Sequence, residues 1–348
     1  MFTKNIMLST ISNINLMRKP VAAPPPTSAT YWLAFGPGTN SIKKITPAAQ
    51  ISNWSSTSPS TNVFTSYGYH AATNGTGTWI AAGAGGNKLA KSTDNGSTWT
   101  AITGAFAASG FKVAYGNNRF VASGGSGTNN GVNIITLDST GSITNSYLDY
   151  FYTYAWSTNY INSTWYVGGT YGVAVGNNTA TSWSKSNNTK LTTAIINDIA
   201  TDGTRFIISG SSLSVSTNIK ALIADDFESS SSWTDCLING SQLFSNGYQS
   251  AYGNGVWIAV GVPVTAGRCI ARSTDNGTTW SYVGNDILTN GYGIAYGGNN
   301  TWVAVGQKAT SGQNSAISTN NGATWTARGF PSDGSTEVLY GITSNYKP

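Results

Sequence analysis

The chain has 348 residues, enough for one large all-β domain or two ordinary ones, and only 9% of them are charged against about 25% in a typical soluble domain. Gly, Ser, Thr and Asn take up the difference and aromatics reach 12%, a composition of turns and strands rather than helices. The net charge of +5 is scattered, with Arg18-Lys19 and Lys43-Lys44 as its adjacent pairs, so the concentrated basic stripe that nucleic acid requires is missing and no nucleic-acid partner is expected.

Residues 1–28 differ from everything after them. Phe2, Ile6 or Met7, Ile11, Ile14 and Met17 follow spacings of three and four, which would lay an apolar stripe along a helix. So short a helix cannot bury that stripe alone, so the segment is expected to dock on a partner or on other copies, the alternative being a disordered terminus. The stretch from Met17 to Ala29, "MRKPVAAPPPTSA", reads as a stiff, extended spacer. Ser, Thr and Asn interrupt the apolar residues and no small-residue cleavage site follows, so no signal peptide is expected. No run approaches the roughly 18–20 apolar residues of a membrane span.

From Tyr31 onward a unit repeats: an aromatic, two or three apolar or small residues, then Gly. Its copies are "YWLAFG", "TWIAAG", "RFVASG", "TWYVGG", "RFIISG", "VWIAVG" and "TWVAVG", with aromatics at Trp32, Trp79, Phe120, Trp165, Phe206, Trp257 and Trp302. Most follow another β run ending in Asn-Gly or a relative ("HAATNG", "SAYGNG"), the strongest local hairpin signal because a two-residue turn needs positive φ. About 20 residues after each aromatic comes a second tryptophan (Trp54, Trp99, Trp183, Trp233, Trp280, Trp325), except that Ile143 stands where one would fall. Units of four short strands at this period predict an all-β fold, a seven-bladed β-propeller of four-stranded antiparallel blades over residues 29–348, preceded by the N-terminal arm of residues 1–28. The first unit lacks its leading strand, and "EVLYGITSN" near the C-terminus supplies a spare one, so the C-terminal strand is expected to pair with the N-terminal blade and close the ring.

Within this frame "STDNGSTWT" (Ser92–Thr100) returns as "STDNGTTWS" and "STNNGATWT". Asp94, Asp275 and Asn320 can accept backbone N–H bonds across a turn, and Asn320 shows that the charge is dispensable. Gly96, Gly277 and Gly322 permit a left-handed bend, while Trp99, Trp280 and Trp325 are expected to fold back between neighbouring sheets. The pattern S-x-D-x-G-x-T-W resembles that of the Asp-box, or BNR-repeat, β-propellers, a superfamily that includes the sialidases. The resemblance implies a structural role for these residues on the outer rim of the ring.

It does not carry over sialidase chemistry. That activity needs three convergent arginines, and the six here are dispersed, with no Arg-Ile-Pro segment. A generic glycosidase needs two opposed carboxylates, for which Asp149, Asp286, Asp333 and Glu337 fall in or near segments joining one blade to the next. They read either as a convergent set or as isolated loop acids. The lone histidine, His70, aligns with an innermost strand as a pore-lining or packing residue. One His and no CxxC leave no metal site and no cofactor, and no catalytic residue is assigned. Cys236 and Cys269 are expected as two buried thiols rather than a bridge.

The same connecting segments are rich in tyrosine: "TSYGYH", "SYLDYFYTYAW", "LFSNGYQS" and "LTNGYGIAYG". Tyr67, Tyr69, Tyr150, Tyr152, Tyr248 and Tyr292 are the candidate ligand-binding rings, offering flat stacking faces beside Asn and Ser groups as a sugar site does. The other reading is that they fill wedges between blades. An apolar arm, a proline-rich spacer and a weakly charged all-β body resemble the virion proteins of tailed bacteriophages. That resemblance implies a non-enzymatic structural or surface protein, part of a homo-oligomer or larger assembly on the extracellular particle. Residues 1–28 would dock on other virion proteins and the propeller face would meet host-surface glycans or a neighbouring virion protein. The alternative function is a carbohydrate-active hydrolase using the loop carboxylates.

Overall fold

A computed structural model describes residues 29, 31–38, 41–45, 56–57, 63–125, 131–148, 151, 153–213, 221–309, 313–329 and 338–346; the expected arm of residues 1–28 lies outside them. Among the described residues every regular element is a strand. The first half of the chain forms β1 (Trp32–Phe35), β2 (Ile42–Ile45), β3 (Ser56–Thr57), β4 (Tyr67–Thr73), β5 (Trp79–Ala84), β6 (Leu89–Ser92), β7 (Thr100–Ile102), β8 (Ser109–Gly116), β9 (Arg119–Gly125), β10 (Val132–Asp138), β11 (Ile143–Leu148), β12 (Ala155–Ile161), β13 (Thr164–Gly169), β14 (Gly172–Gly176) and β15 (Trp183–Lys185). The second half forms β16 (Ile195–Thr201), β17 (Phe206–Ser211), β18 (Ala221–Ala224), β19 (Thr234–Asp235), β20 (Leu237–Ile238), β21 (Ser241–Gln242), β22 (Phe244–Gly253), β23 (Val256–Pro263), β24 (Ile270–Ser273), β25 (Ser281–Tyr282), β26 (Leu288–Tyr296), β27 (Trp302–Lys308), β28 (Ser315–Ser318), β29 (Thr326–Arg328) and β30 (Gly341–Ser344).

The repeated aromatic-apolar-Gly runs are the second strands of antiparallel sheets. β5 and most of β9, β23 and β27 are buried residue after residue, because each lies in a sheet packed between two neighbours and has no solvent face. The hydrophobic core is accordingly a set of wedges between sheets. One wedge joins Val256, Ile258 and Val260 of β23 to Ile294 of β26 and Trp302 of β27. Another joins Trp32 and Ala34 of β1 to Val303 and Val305 of β27, so the last sheets meet the first. The C-terminal strand β30 pairs antiparallel with β1, from Trp32↔Ser344 to Phe35↔Gly341.

The predicted count of blades is corrected. Five blades are four-stranded antiparallel sheets, not seven: β30-β1-β2-β3, β12 to β15, β16 to β19, β22 to β25 and β26 to β29. The stretch β4 to β11, which the spacing divides into two separate blades, is one continuous eight-stranded sheet. The cause is local. β6 begins at Leu89 opposite Ala82, so the edge of β5 is open at Ala84, and Ser109 at the start of β8 pairs with it. Single bridges of the same sort, Pro37↔Tyr67, Gly125↔Tyr154, Thr170↔Ile195 and Gln307↔Val338, tie other sheets to their neighbours. A further two-stranded hairpin, β20-β21, has no counterpart in the repeat.

The thrice-repeated nine residues form a closed turn between a third and a fourth strand. The Ser92 hydroxyl donates to Asp94 Oδ1 at 2.7 Å and accepts from the Gly96 N–H at 2.8 Å. Thr98 gives its N–H to Asp94 Oδ1 at 2.8 Å and its hydroxyl to Oδ2 at 2.6 Å, while Trp99 Nε1 donates to Gly96 O at 3.2 Å. Ser273, Asp275, Thr279 and Trp280 repeat every one of these bonds. In the third copy Asn320 still accepts the Thr324 N–H at 2.9 Å, but its Nδ2 now donates to the Thr324 hydroxyl at 2.8 Å. The hydroxyl reverses its role, which is why an amide can replace the acid. Gly277 and Gly322 have φ of +80° and +77°, and a Cβ at either would strike an isoleucine of the preceding sheet, Ile223 or Ile258. The tryptophans complete those wedges, Trp280 with Ile207 and Ile223, Trp325 with Ile258. Asp138 and Asn177 close related turns in degraded copies, each accepting two backbone N–H bonds.

Candidate functional site

Six strands, β4, β8, β12, β16, β22 and β26, carry the same irregularity against their hairpin partners. The register shifts by one residue between Gly68 and His70, Gly110 and Lys112, Ala155 and Ser157, Ile196 and Asp198, Gly247 and Gln249, and Gly291 and Gly293. A bulge of this kind leaves one residue without a ladder partner and re-aims its side chain. The residues so placed are Tyr69, Phe111, Trp156, Asn197, Tyr248 and Tyr292, and all six line one central cavity of about 740 Å³. Tyr340, immediately before β30, lines it as well.

The rings form an unbroken arc. Trp156 stands 4.3 Å from Phe111 between centroids, with Tyr154 wedged 5.0 and 5.8 Å from the two. Phe111 is followed by Tyr69 at 5.5 Å, Tyr69 by Tyr340 at 5.9 Å, Tyr340 by Tyr292 at 5.7 Å and Tyr292 by Tyr248 at 4.9 Å. Tyr67 caps the middle, 5.9 Å from Tyr69 and 5.6 Å from Tyr340. Most of these pairs are tilted or edge-on, the arrangement that aromatic quadrupoles favour. Burial, with the neighbouring Tyr340 and Tyr67 phenols, pushes Tyr69 up to about 12, and burial also raises Tyr292 and Tyr340. The three phenols therefore keep their protons at neutral pH and can donate.

Where the arc stops, amides begin. Asn197 donates through Nδ2 to Gly247 O at 2.8 Å and to Asn246 Oδ1 at 3.1 Å, and Asn246 lines the cavity beside it. Next along five of the six strands is a polar residue: His70, Lys112, Ser157, Asp198 and Gln249. Lys112 and Asp198 form a buried ion pair, and Asp198 Oδ2 also accepts the Ser250 N–H at 3.0 Å. Gln249 Oε1 accepts the Ile294 N–H at 3.0 Å. Burial, and secondarily the Lys112 charge, pushes the His70 imidazole down to about 3 against an opposing hydrogen bond to the Val113 backbone, so it is neutral. His70 Nδ1 and Trp156 Nε1 are buried without a hydrogen-bond partner. The two formal charges among the described residues of the cavity wall thus neutralise each other.

Of the tyrosines singled out in the sequence, Tyr69, Tyr248 and Tyr292 line the cavity, and Tyr67, 38% exposed, lies in the arc. Tyr150 and Tyr152 lie outside the described residues. So do Asp149, Asp333 and Glu337. Asp286 is exposed in a turn where its N–H donates to Gly267 O at 2.9 Å, away from the cavity lining. No cluster of three metal-ligating side chains occurs among the described residues, and they contain no helix long and apolar enough to cross a membrane. Cys236 and Cys269 are buried and free. Sequence reasoning missed Phe111, Tyr154, Trp156, Asn197 and Tyr340. A signal did exist for the bulge positions: each lies nine or ten residues before the repeated aromatic of the following strand, as Phe111 does before Phe120.

No protein-family model and no curated protein matches the chain. Among solved structures, one described as YCF48 bound to D1 peptide is similar with a TM-score of 0.51 at 12% identity, over 75% of this chain and 80% of that one. The computationally designed Ika8 protein is similar with a TM-score of 0.54 at 12% identity, over 91% of each chain. At such identities the likeness concerns the fold alone, and the fold is a β-propeller.

Proposed function

We propose that the protein is a non-catalytic binding propeller of the Asp-box type, carried on the virion of a tailed bacteriophage, whose central cavity takes a host-surface glycan. The observation that carries this reading is the arc of aromatic rings that the bulges of successive blades turn onto one cavity, closed by amides. Aromatic faces stack on the C–H faces of a sugar, and amides and phenols supply the directional hydrogen bonds. Residues 1–28 would hold the propeller on the particle through another virion protein or further copies of the chain.

The hydrolase reading finds less support. A glycosidase needs two carboxylates about 5–10 Å apart across the bond it cleaves. The described part of the cavity wall offers Asp198 alone, already engaged by Lys112 and Ser250. A peptide is the second reading, because a propeller of similar fold has been solved with a peptide bound. The test is titration with host cell-wall and capsular glycans, with product analysis after prolonged incubation. Saturable binding without new reducing ends is expected. Release of reducing sugar, or no glycan binding at all, would overturn the reading.

A further inference from the structure

We propose that Asn197 is the specificity-determining residue of the central cavity, selecting a neutral pyranose with a free hydroxyl over an apolar or proline-rich segment. This deepens the glycan reading and rests on it. Asn197 occupies the bulge position that five other strands fill with an aromatic ring. Its amide is locked: Gly247 O can only accept, so the group bonded to it at 2.8 Å must be Nδ2, and the second N–H goes to Asn246 at 3.1 Å. Nδ2 is therefore held by two acceptors of β22, and the other atom of the amide, the acceptor Oδ1, is the one we assign to a cavity ligand.

A fixed acceptor recognises a donor. A pyranose stacked on the arc carries hydroxyls around its edge, one of which can donate to Asn197 Oδ1 while its lone pairs accept from a phenol. A proline-rich segment suits aromatic faces equally well, but a proline has no N–H to give. Its binding would strip water from Oδ1 without replacement, the circumstance in which a polar site discriminates most strongly. An acidic sugar gains little either, since Lys112, the one cation among the described residues of the wall, is already paired with Asp198.

The experiment is calorimetric titration of the full chain with chitotetraose, cellotetraose, maltotetraose, mannotetraose, polysialic acid and the peptide N-acetyl-hexaproline, which has no N–H or hydroxyl to donate. At least one neutral oligosaccharide should bind better than the last two. Asn197→Ala should weaken that sugar about tenfold, and Asn197→Tyr, which makes the bulge positions uniformly aromatic, should weaken it as much while strengthening the peptide several-fold. Each variant's urea midpoint shows that it folds; if the tyrosine does not, Asn197→Ala alone decides. A neutral sugar bound equally by wild type and Asn197→Ala, within twofold, overturns the role of Asn197 and leaves the glycan reading standing. Preference for polysialic acid overturns the neutral-sugar selectivity alone. Binding of the peptide alone, or of no probe, overturns both readings.

Discussion

Tyr69 and Tyr340, from near opposite ends of the chain, stand with ring centroids 5.9 Å apart in the wall of the cavity. One lies in β4; the other reaches its place because Tyr340 gives its N–H to Phe35 O at 2.7 Å as β30 docks on β1. Closure of the ring and completion of the aromatic arc are therefore one event. A Cβ at Gly341 would collide with the Tyr69 carbonyl. Gly341→Ala should therefore cost about 1–3 kcal/mol of stability by overpacking and alter the near-ultraviolet circular dichroism of the tyrosines. Tyr69→Ala should leave the fold in place and weaken any cavity ligand about tenfold, the loss of one good stacking partner. An unchanged spectrum in the first variant would show that the seam is looser than the contacts imply.

The turns containing Trp280 and Trp99 should differ in weight. Trp280 is buried at 7% exposure within the wedge of Ile207, Ile223 and Trp257, whereas Trp99 is only partly buried. Trp280→Ala should cost about 3–5 kcal/mol and Trp99→Ala less, read from urea unfolding. Gly277→Ala combines a φ of +80° with the Ile223 collision and should cost more than the bend alone, at least about 1–2 kcal/mol. Asp275→Asn should be nearly neutral at pH 7, because Asn320 shows how the Thr hydroxyl turns to accept.

That near-neutrality should fail in acid. Burial alone would raise the Asp94 carboxyl, but bonds from Thr98, Ser92 and Ser97 outweigh it and hold the group at about 2. Asp275 is lowered chiefly by Thr279, and Asp138 is lowered by Thr140 and Ser142 against its burial. For depressed carboxylates the stabilisation is present above the ordinary value of 3.8 and is lost as pH falls toward 2, because the unfolded chain binds the proton first. The triple variant Asp94→Asn, Asp138→Asn, Asp275→Asn should show a flatter loss of stability between about pH 5 and 2 than wild type. His70 acts in a higher window. Its pKa falls from 6.5 to about 3, so its contribution is complete above 6.5 and declines as pH drops below it. His70→Leu should remove the slope between pH 6.5 and about 5, above the carboxylates' window, and a slope that persists there would assign it to another group.

Much of the scaffold could be read from the residues. Trp79, Phe120, Trp165, Trp257 and Trp302 announce the buried second strands because a strand enclosed on both faces must be apolar throughout. The blade count was not legible, since it depends on one backbone pairing, Ala84↔Ser109, that no side chain encodes. The cavity was half legible. Tyr69, Tyr248 and Tyr292 stood out because tyrosine beside Gly and Asn in a connecting segment signals exposure. Phe111, Trp156 and Asn197 did not, because a bulge is set by register and not by residue type: the same backbone shift presents a phenyl, an indole or an amide. Tyr340 was hidden for a different reason: two of its neighbouring rings, Tyr67 and Tyr69, are supplied by the other end of the chain.

The Lys112–Asp198 pair offers the sharpest energetic test. It joins β8 to β16 across the intervening β12, with both side chains buried, and Asp198 also receives the Ser250 N–H of β22. One carboxylate thus ties three strands around the cavity. Removing charges from water is expensive, and their attraction roughly repays it, so the pair's net contribution is small while its components are large. Asp198→Asn should strand the Lys112 ammonium and cost about 3–5 kcal/mol in urea unfolding. Lys112→Met in that background should restore much of the loss, since no charge is then left buried. A coupling energy near zero in this double-mutant cycle would mean that the pair is solvated in solution. In that event Lys112 and Asp198 would each be open to the water of the cavity, and Lys112 would be within reach of the acidic ligands that the pairing excludes.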